Sequence, residues 1–128
     1  MKIDTFITET ERESCRRVAD AFSELYELLG DMAVADGGSV GYILLRYYNG
    51  YEFDSNEIYT DSKELFKELW KEWLEYHLLT PVLGTQLAEL DYDMLYEILP
   101  NEKKEALDRE KRAFWRASFG NQLSNEML

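Results

Sequence analysis

The stretch that decides the fold runs from Ser39 to Tyr59 and reads SVGYILLRYYNGYEFDSNEIY. β-branched and aromatic residues dominate its first half, and Asn49-Gly50 stands near its centre. Asn and Gly tolerate the positive φ angles of a type I′ turn, so the stretch predicts an antiparallel β-hairpin with a two-residue turn. The first strand is apolar on both faces and the second is polar on one, which predicts a central strand and an edge strand. The predicted register places Tyr48 opposite Tyr51, Arg46 opposite Phe53, Leu44 opposite Ser55 and Tyr42 opposite Glu57.

Helical periodicity flanks this hairpin on both sides. Before it, apolar residues recur every three or four positions from Cys15 to Leu29, with Thr8 or Thr10 as the N-cap and Gly30 at the end. After it, Thr60 or Asp61 caps a second helix with a wide apolar stripe. The stripe comprises Leu65, Phe66, Leu69, Trp70, Trp73, Leu74 and His77.

Prolines and a glycine divide the remainder into shorter helices. The second helix stops before Pro81, and Gly84 marks a further break. Asp91 caps a short helix that ends at Pro100, and Asn101 caps a last helix that closes at Gly120. The order α, β, β, α, α, α predicts an α+β fold: an N-terminal helix, an antiparallel β-hairpin or small sheet, then three to four helices packed on it.

The length of 128 residues fits a single domain. We place that domain at residues 1–120, with 121–128 as a flexible C-terminal tail. Two strands alone are marginal in water, so either helices cover one face or a third strand joins them. Whether the segment Leu79–Leu90 supplies that strand is left open. The acidic start lacks the basic and apolar parts of a signal peptide, and no apolar run is long enough for a membrane span, so we expect a cytoplasmic protein.

Charge is the most informative feature for function. The chain has 26 acidic and 14 basic side chains, a formal net charge of −12. This balance argues against a general nucleic-acid binder, because phosphate recognition relies on Lys and Arg. No Lys or Arg occurs between Lys71 and Lys103. The basic residues of Lys103–Arg116 are diluted by acids, and we expect them to pair with the acidic half of the chain.

Two acidic regions are candidate partner-binding sites. One is the hairpin, where carboxylates alternate with aromatic rings that supply contact area while the acids steer a cationic partner. The other is the acidic segment that follows Gly84. The alternative is that these residues have no binding role: the acids only keep the protein soluble, and the tyrosines cover a core. The candidate residues are Tyr48, Tyr51, Glu52, Asp54, Glu57, Glu89, Asp91 and Asp93.

The inventory of chemistry-bearing residues favours a protein that is not an enzyme. His77 is the single histidine, and its place on an apolar stripe predicts a core-facing packing residue without metal-binding companions. Cys15 is the single cysteine and lies on the inner face of the first helix, so we expect an inert buried thiol. No phosphate-binding loop or calcium loop is present, and we predict no cofactor, no metal and no catalytic residue.

These observations predict a small acidic binding protein that blocks a basic protein partner, most naturally an immunity protein or antitoxin that neutralises a toxin such as a nuclease. Three alternatives stay open. The chain could mimic nucleic acid, as a phage-type inhibitor of a defence nuclease. It could be a carboxylate- or metal-dependent hydrolase that uses Glu89, Asp91 and Asp93. It could also be a subunit of a larger assembly, with Trp115, Phe119 and Leu123 as contact residues.

Overall fold

The predicted hairpin forms the second and third strands of a small antiparallel sheet in the computed structural model, which describes residues 7–48 and 52–120. Helices precede and follow the sheet, which confirms the predicted α+β fold. The elements are α1 (Glu9–Ala21), α2 (Ser23–Leu29), β1 (Met32–Asp36), β2 (Tyr42–Tyr48), β3 (Glu52–Tyr59), α3 (Ser62–Leu79), α4 (Tyr92–Glu97) and α5 (Asn101–Phe119). Short 3-10 turns span Gly38–Val40, Thr80–Val82 and Gln86–Glu89. The predicted tail at 121–128 lies outside the described residues.

The N-terminal helix is interrupted, whereas the sequence predicted one helix to Leu29. Its start is confirmed, because Thr8 Oγ1 accepts a hydrogen bond from the Glu11 N–H at 3.1 Å. Phe22 then leaves helical geometry, with φ −100° and ψ 19°. Its fully buried ring stacks on Phe114, with centroids 4.3 Å apart. Burial of this ring therefore coincides with the break between α1 and α2.

The sheet gains its third strand from residues before the hairpin. β1 pairs antiparallel with β2, from Met32 opposite Arg46 to Asp36 opposite Tyr42, so β2 is central and β3 is an edge, as predicted. The composition of Ala35–Gly38 predicts a turn, but Ala35 and Asp36 belong to β1, and the 3-10 turn starts only at Gly38. Asp36 also accepts two hydrogen bonds from the Arg12 guanidinium, at 3.1 and 2.8 Å, which tie β1 to α1.

The register of the hairpin differs from the two-residue prediction. Tyr48 pairs with Glu52, which leaves residues 49–51, including the predicted turn, outside the described part of the chain. A bulge follows, because Tyr47 pairs with Phe53 and Arg46 with Ser55, so that Asp54 has no opposite residue. Beyond the bulge, each residue of β2 pairs with the residue of β3 that lies two positions after the predicted partner. The alternation of faces is consequently preserved, and Tyr42, Leu44 and Arg46 share one face.

One face of the sheet packs on the helices to form the main core. Tyr42 and Leu44 of β2 are buried, while Ile43 and Leu45 on the opposite face are half-buried. The apolar stripe predicted for α3 is largely confirmed, with Leu65, Phe66, Leu69, Trp73 and Leu74 buried. Further core side chains are Cys15, Val18, Phe22, Leu25, Met32 and Trp115.

A second, smaller cluster lies beyond the main core, at the C-terminal end of α3. It is built from Leu74 and Leu78 of α3 and Leu95 of α4. Half-buried side chains of Val82, Leu99 and Leu107 pack against it. This cluster holds α4 and the 3-10 turns against the rest of the protein. No helix among the described residues combines the length and the apolar character needed to cross a bilayer.

Replacing Phe66 should test the main core most directly. Its ring is 1% exposed and meets Phe22, Trp115 and Phe119 at centroid distances of 5.5, 5.0 and 6.0 Å. We expect Phe66→Ala to lower the free energy of unfolding by about 3–5 kcal/mol through lost burial and a residual cavity. Urea denaturation measures this change. The exposed Leu83 provides the control, since Leu83→Ala should change stability by less than about 0.5 kcal/mol; equal effects would contradict the packing described here.

Candidate functional site

The hairpin carboxylate whose side chain is described, Glu57, contacts other side chains of the protein although it is 46% exposed. Its Oε1 pairs with Arg46 at 3.3 Å, and its Oε2 accepts a hydrogen bond from the Tyr59 hydroxyl at 2.9 Å. The backbones of Tyr48, Glu52 and Asp54 belong to β2 and β3, whereas their side chains, like Tyr51, lie outside the described residues. Glu57 is therefore less available to a partner than the sequence suggested.

Arg46 collects two further carboxylates from α3. Its Nη2 lies 2.9 Å from Glu68 and its Nη1 lies 2.8 Å from Glu72. Glu68 and Glu72 are four residues apart, so they lie on the same side of the helix, next to the sheet. Both are only 16–18% exposed, and burial raises the pKa of Glu72 although Arg46 opposes the shift. The guanidinium is thus the charge that makes this group of acids tolerable.

Lys and Glu residues stand three positions apart along the exposed side of α3, a spacing at which oppositely charged side chains pair on a helix. Two such pairs are present, Lys67 with Glu64 and Lys71 with Glu68, each at 3.4 Å. The sequence did not reveal that Glu68 and Glu72 turn toward Arg46 of β2. A lone arginine within an otherwise apolar strand was the available signal for an inward-facing ion pair.

The second acidic region carries its carboxylates in solvent. Glu89, Asp91, Asp93 and Glu97 are all exposed. Asp91 is the predicted cap of α4, and its Oδ1 accepts the Met94 N–H at 3.0 Å. Glu97 approaches Lys104 at 3.9 Å, a long contact for an ion pair. Among the described residues, no group of His, Cys, Asp or Glu side chains is placed to hold a metal ion, so Glu89, Asp91 and Asp93 do not converge into such a site.

Large apolar side chains stand exposed in the same region, which we call segment 83–98. Leu83 is 67% exposed, Met94 54% and Ile98 60%. The sequence predicted Ile98 as an apolar position within the short helix. α4 instead ends at Glu97, because Leu99 precedes Pro100 and is disfavoured in helical geometry. Ile98 therefore lies beyond the helix and points away from the small cluster, which buries Leu95.

A cleft of about 380 Å³ adjoins segment 83–98. Its walls come from the end of α3, the turn Thr80–Val82, Leu99 and the first half of α5. Most of its lining is apolar, and the polar groups at its rim are His77, Lys103 and Glu110. Nothing in the sequence indicated this cleft, because it depends on how segments some 20–30 residues apart pack together.

His77 does not face the core, so that prediction was wrong. It is exposed on the cleft wall, with its ring centroid 4.3 Å from Trp73 and 5.3 Å from Tyr76. At this level α3 has passed the main core, and the small cluster takes its contacts from Leu74 and Leu78 instead. Beside His77, the Trp73 indole N–H donates a hydrogen bond to Glu110 Oε2 at 3.1 Å, which fixes that carboxylate at the rim.

The structure also shows where Cys15 and two aromatic residues of α5 lie. Cys15 is fully buried, and burial raises the pKa of its thiol to about 12, so it stays protonated at neutral pH. Trp115 and Phe119 pack on Phe66 in the core, so much of their ring surface is used within the chain. Leu123, the third contact residue of the subunit alternative, lies outside the described residues.

The expected pairing of the basic segment with the acidic half was largely wrong. Lys104 reaches Glu97, as described above. The side chains of Arg109, Arg112 and Arg116 are exposed on the outer side of α5. Within residues 7–48 and 52–120, they take part in none of the ion pairs that the structure shows. The acids of segment 83–98 are consequently left without these arginines as partners.

Removing the Arg46 side chain should destabilise the protein in a pH-dependent way. We expect Arg46→Met to lower the free energy of unfolding by about 2–3 kcal/mol at pH 7.5, because half-buried Glu68 and Glu72 lose their compensating charge. The pKa of Glu72 is already raised, so its ionisation costs stability as the pH rises through that pKa. Losing the cation raises the pKa of Glu72 further, because Arg46 opposes the effect of burial, and the destabilisation should therefore be smaller at pH 5.5.

Urea denaturation at the two pH values measures this difference. Lys67→Met is the matched control, because Lys67 lies on α3 with Glu68 and Glu72 and forms an exposed ion pair with Glu64. It should change stability by less than about 0.5 kcal/mol at either pH. A pH-independent loss for Arg46→Met would show that the guanidinium acts through packing rather than charge.

Two features of the described residues are suited to binding: segment 83–98 and the cleft. They are continuous along the chain, because Leu83 follows the cleft residue Val82 and Ile98 precedes the cleft residue Leu99. Exposed carboxylates and exposed apolar side chains thus share the stretch of chain that joins two residues of the cleft. Comparisons of this chain with protein-family models, with curated protein sequences and with solved structures found no match.

Proposed function

We propose that this chain is a small acidic binding protein that blocks a basic protein partner, in the manner of an immunity protein or antitoxin that neutralises a toxin such as a nuclease. The observation that carries the proposal is the composition of segment 83–98. Exposed carboxylates of Glu89, Asp93 and Glu97 stand there among the exposed side chains of Met94 and Ile98.

Each component of this surface has a physical role in binding. Apolar side chains removed from water by a partner supply affinity, at roughly 25 cal/mol per Å² of buried area before the costs of association. Carboxylates around them accelerate the encounter with a cationic protein and disfavour acidic competitors. Exposed apolar side chains grouped together are typical of interaction sites.

A nuclease is a natural partner for such a surface. Enzymes that act on nucleic acid present positive potential where the phosphates bind. A protein with a net charge of −12 is attracted to that potential, and a bound inhibitor occupies the channel that the substrate needs. Because Glu57 of the hairpin is held by Arg46 and Tyr59, segment 83–98 is a better candidate for the binding surface than the hairpin.

Charge reversal on segment 83–98 tests the proposal. Glu89→Lys, Asp93→Lys and Glu97→Lys together raise the net charge by 6, from −12 to −6, and leave the helix cap Asp91 in place. The wild-type chain, immobilised and exposed to lysate of the organism that encodes it, should retain a basic protein that elutes at moderate or high salt. The variant should lose this protein, because both attraction and charge complementarity are removed.

The control variant has the same net charge with the reversals elsewhere. Glu24, Glu27 and Asp31 are exposed on or beside α2, and their replacement by lysine also gives −6. This control should retain the captured protein, and adding back the wild-type chain should inhibit its activity. Equal retention by both variants would exclude segment 83–98 as the binding surface. If the wild-type chain retains no basic protein, the proposed function itself is overturned.

A further inference from the structure

We infer that the cleft beside segment 83–98 receives an apolar side chain from the basic partner, next to an arginine or lysine of that partner that pairs with Glu110. This inference rests on the proposed function and specifies the element that the partner inserts. The volume of about 380 Å³ falls within the usual range of binding pockets, about 300–1,000 Å³. A leucine-sized or aromatic side chain fits such a space.

The walls of the cleft select an apolar occupant. Leu78, Val82 and Leu107 line it, and all three belong to or pack against the small cluster. Leu78 is nearly buried, while Val82 and Leu107 are half-buried, so their remaining exposed area faces the cleft and solvent. An apolar side chain that enters removes this area from water together with its own, which is how anchor residues contribute most of the energy of an interface.

The rim gives the occupant a direction. Glu110 is held by the Trp73 indole through Oε2, and its Oε1 makes no hydrogen bond within the described part of the chain. A carboxylate oriented in this way accepts a guanidinium or ammonium group without first losing side-chain freedom. Lys103 lies on the same helix two turns earlier, about 10 Å away, and repels a cation there. The cationic residue of the partner therefore lies at the Glu110 end.

The surroundings agree with a cationic partner rather than an acidic one. Segment 83–98 connects the cleft residues Val82 and Leu99 along the chain, and it carries Glu89, Asp91, Asp93 and Glu97, all exposed. A second copy of this chain would bring the same four carboxylates to a face-to-face contact, which like-charge repulsion opposes. Charge complementarity thus favours a basic polypeptide as the occupant.

Three synthetic peptides serve as probes for the intact chain. They are acetyl-Gly-Arg-Leu-Arg-Gly-amide, the same peptide with Ala in place of Leu, and the same peptide with Glu in place of both Arg. Binding is followed by NMR through the Trp73 indole N–H, which donates to Glu110, and the methyl groups of Leu78 and Leu107. We expect saturable shifts with the Arg-Leu-Arg peptide at a Kd on the order of 1 mM. The Ala peptide should bind about tenfold more weakly, and the Glu peptide should not bind.

Two substitutions in α5 separate the cleft from the general acidity of the protein. Ala106 lines the cleft, so Ala106→Phe should fill it and weaken the Arg-Leu-Arg peptide at least about tenfold. Ala113 is exposed two turns further along and does not line the cleft, so Ala113→Phe should bind as the wild type does. Glu110→Gln keeps an acceptor for Trp73 but loses the charge. It should raise the Kd of the Arg-Leu-Arg peptide and so reduce the difference in affinity between this peptide and the Glu peptide.

The outcomes distinguish this inference from the proposed function. Equal shifts with all three peptides, no shifts at 10 mM peptide, or full binding by Ala106→Phe would each overturn the anchor in the cleft. Capture of a basic protein that survives Ala106→Phe but not reversal of Glu89, Asp93 and Glu97 would leave the function standing without the anchor. Peptide binding in the cleft without any captured basic protein would overturn the function and leave a site for cationic apolar segments. Sedimentation of the wild-type chain checks self-association, and a dimer dissolved by Ala106→Phe would also overturn the inference.

Discussion

The packing of Phe66 between Phe22 and Trp115 is the contact on which the arrangement of helices depends, because it joins α3 to the break between α1 and α2 and to α5. α3 has 18 residues and is about 27 Å long, and its first half spans this core. Its second half extends further and must bury Leu74 and Leu78 elsewhere. The short α4 covers them only partly through Leu95. The cleft and the exposed Ile98 follow from this incomplete cover.

The acidic side chains fall into two groups, one next to the sheet and one beyond Gly84. Arg46 projects from the face of the sheet that meets α3, and it binds Glu57, Glu68 and Glu72 at 3.3, 2.9 and 2.8 Å. These acids lie among protein groups, where a charge without a partner is expensive. The acids beyond Gly84 lie in solvent, where no such compensation is needed. The charge is unevenly distributed along the sequence. In the structure, the acids at the sheet are compensated by Arg46, whereas those near α4 are largely without a compensating cation.

The sequence was sufficient for the elements with strong local signals and insufficient for those fixed by packing. The stripe and cap of α3 and the central position of β2 were predicted because periodicity and composition specify them. β1 was missed because Ala and Asp are weak strand formers and its pairing with β2 is tertiary. The bulge at Asp54 changed the register for the same reason. Of the candidate site, the concentration of acids near α4 without neighbouring bases was visible in the sequence. Which acids are exposed, where the cleft lies and how His77 points depend on how the elements pack.

Under the proposed function, the charges that would attract a basic partner also oppose association between copies of this chain through the same surface. Leu83, Met94 and Ile98 are exposed at 67%, 54% and 60%, and apolar groups in such numbers favour association between copies. Four carboxylates among them oppose a symmetric contact, because each copy would meet an identical acidic surface. A cationic partner reverses the sign of that term and gains the apolar contacts in addition. Selectivity for a basic protein thus needs no separate device, since it follows from placing acids around an apolar surface that the short α4 leaves exposed.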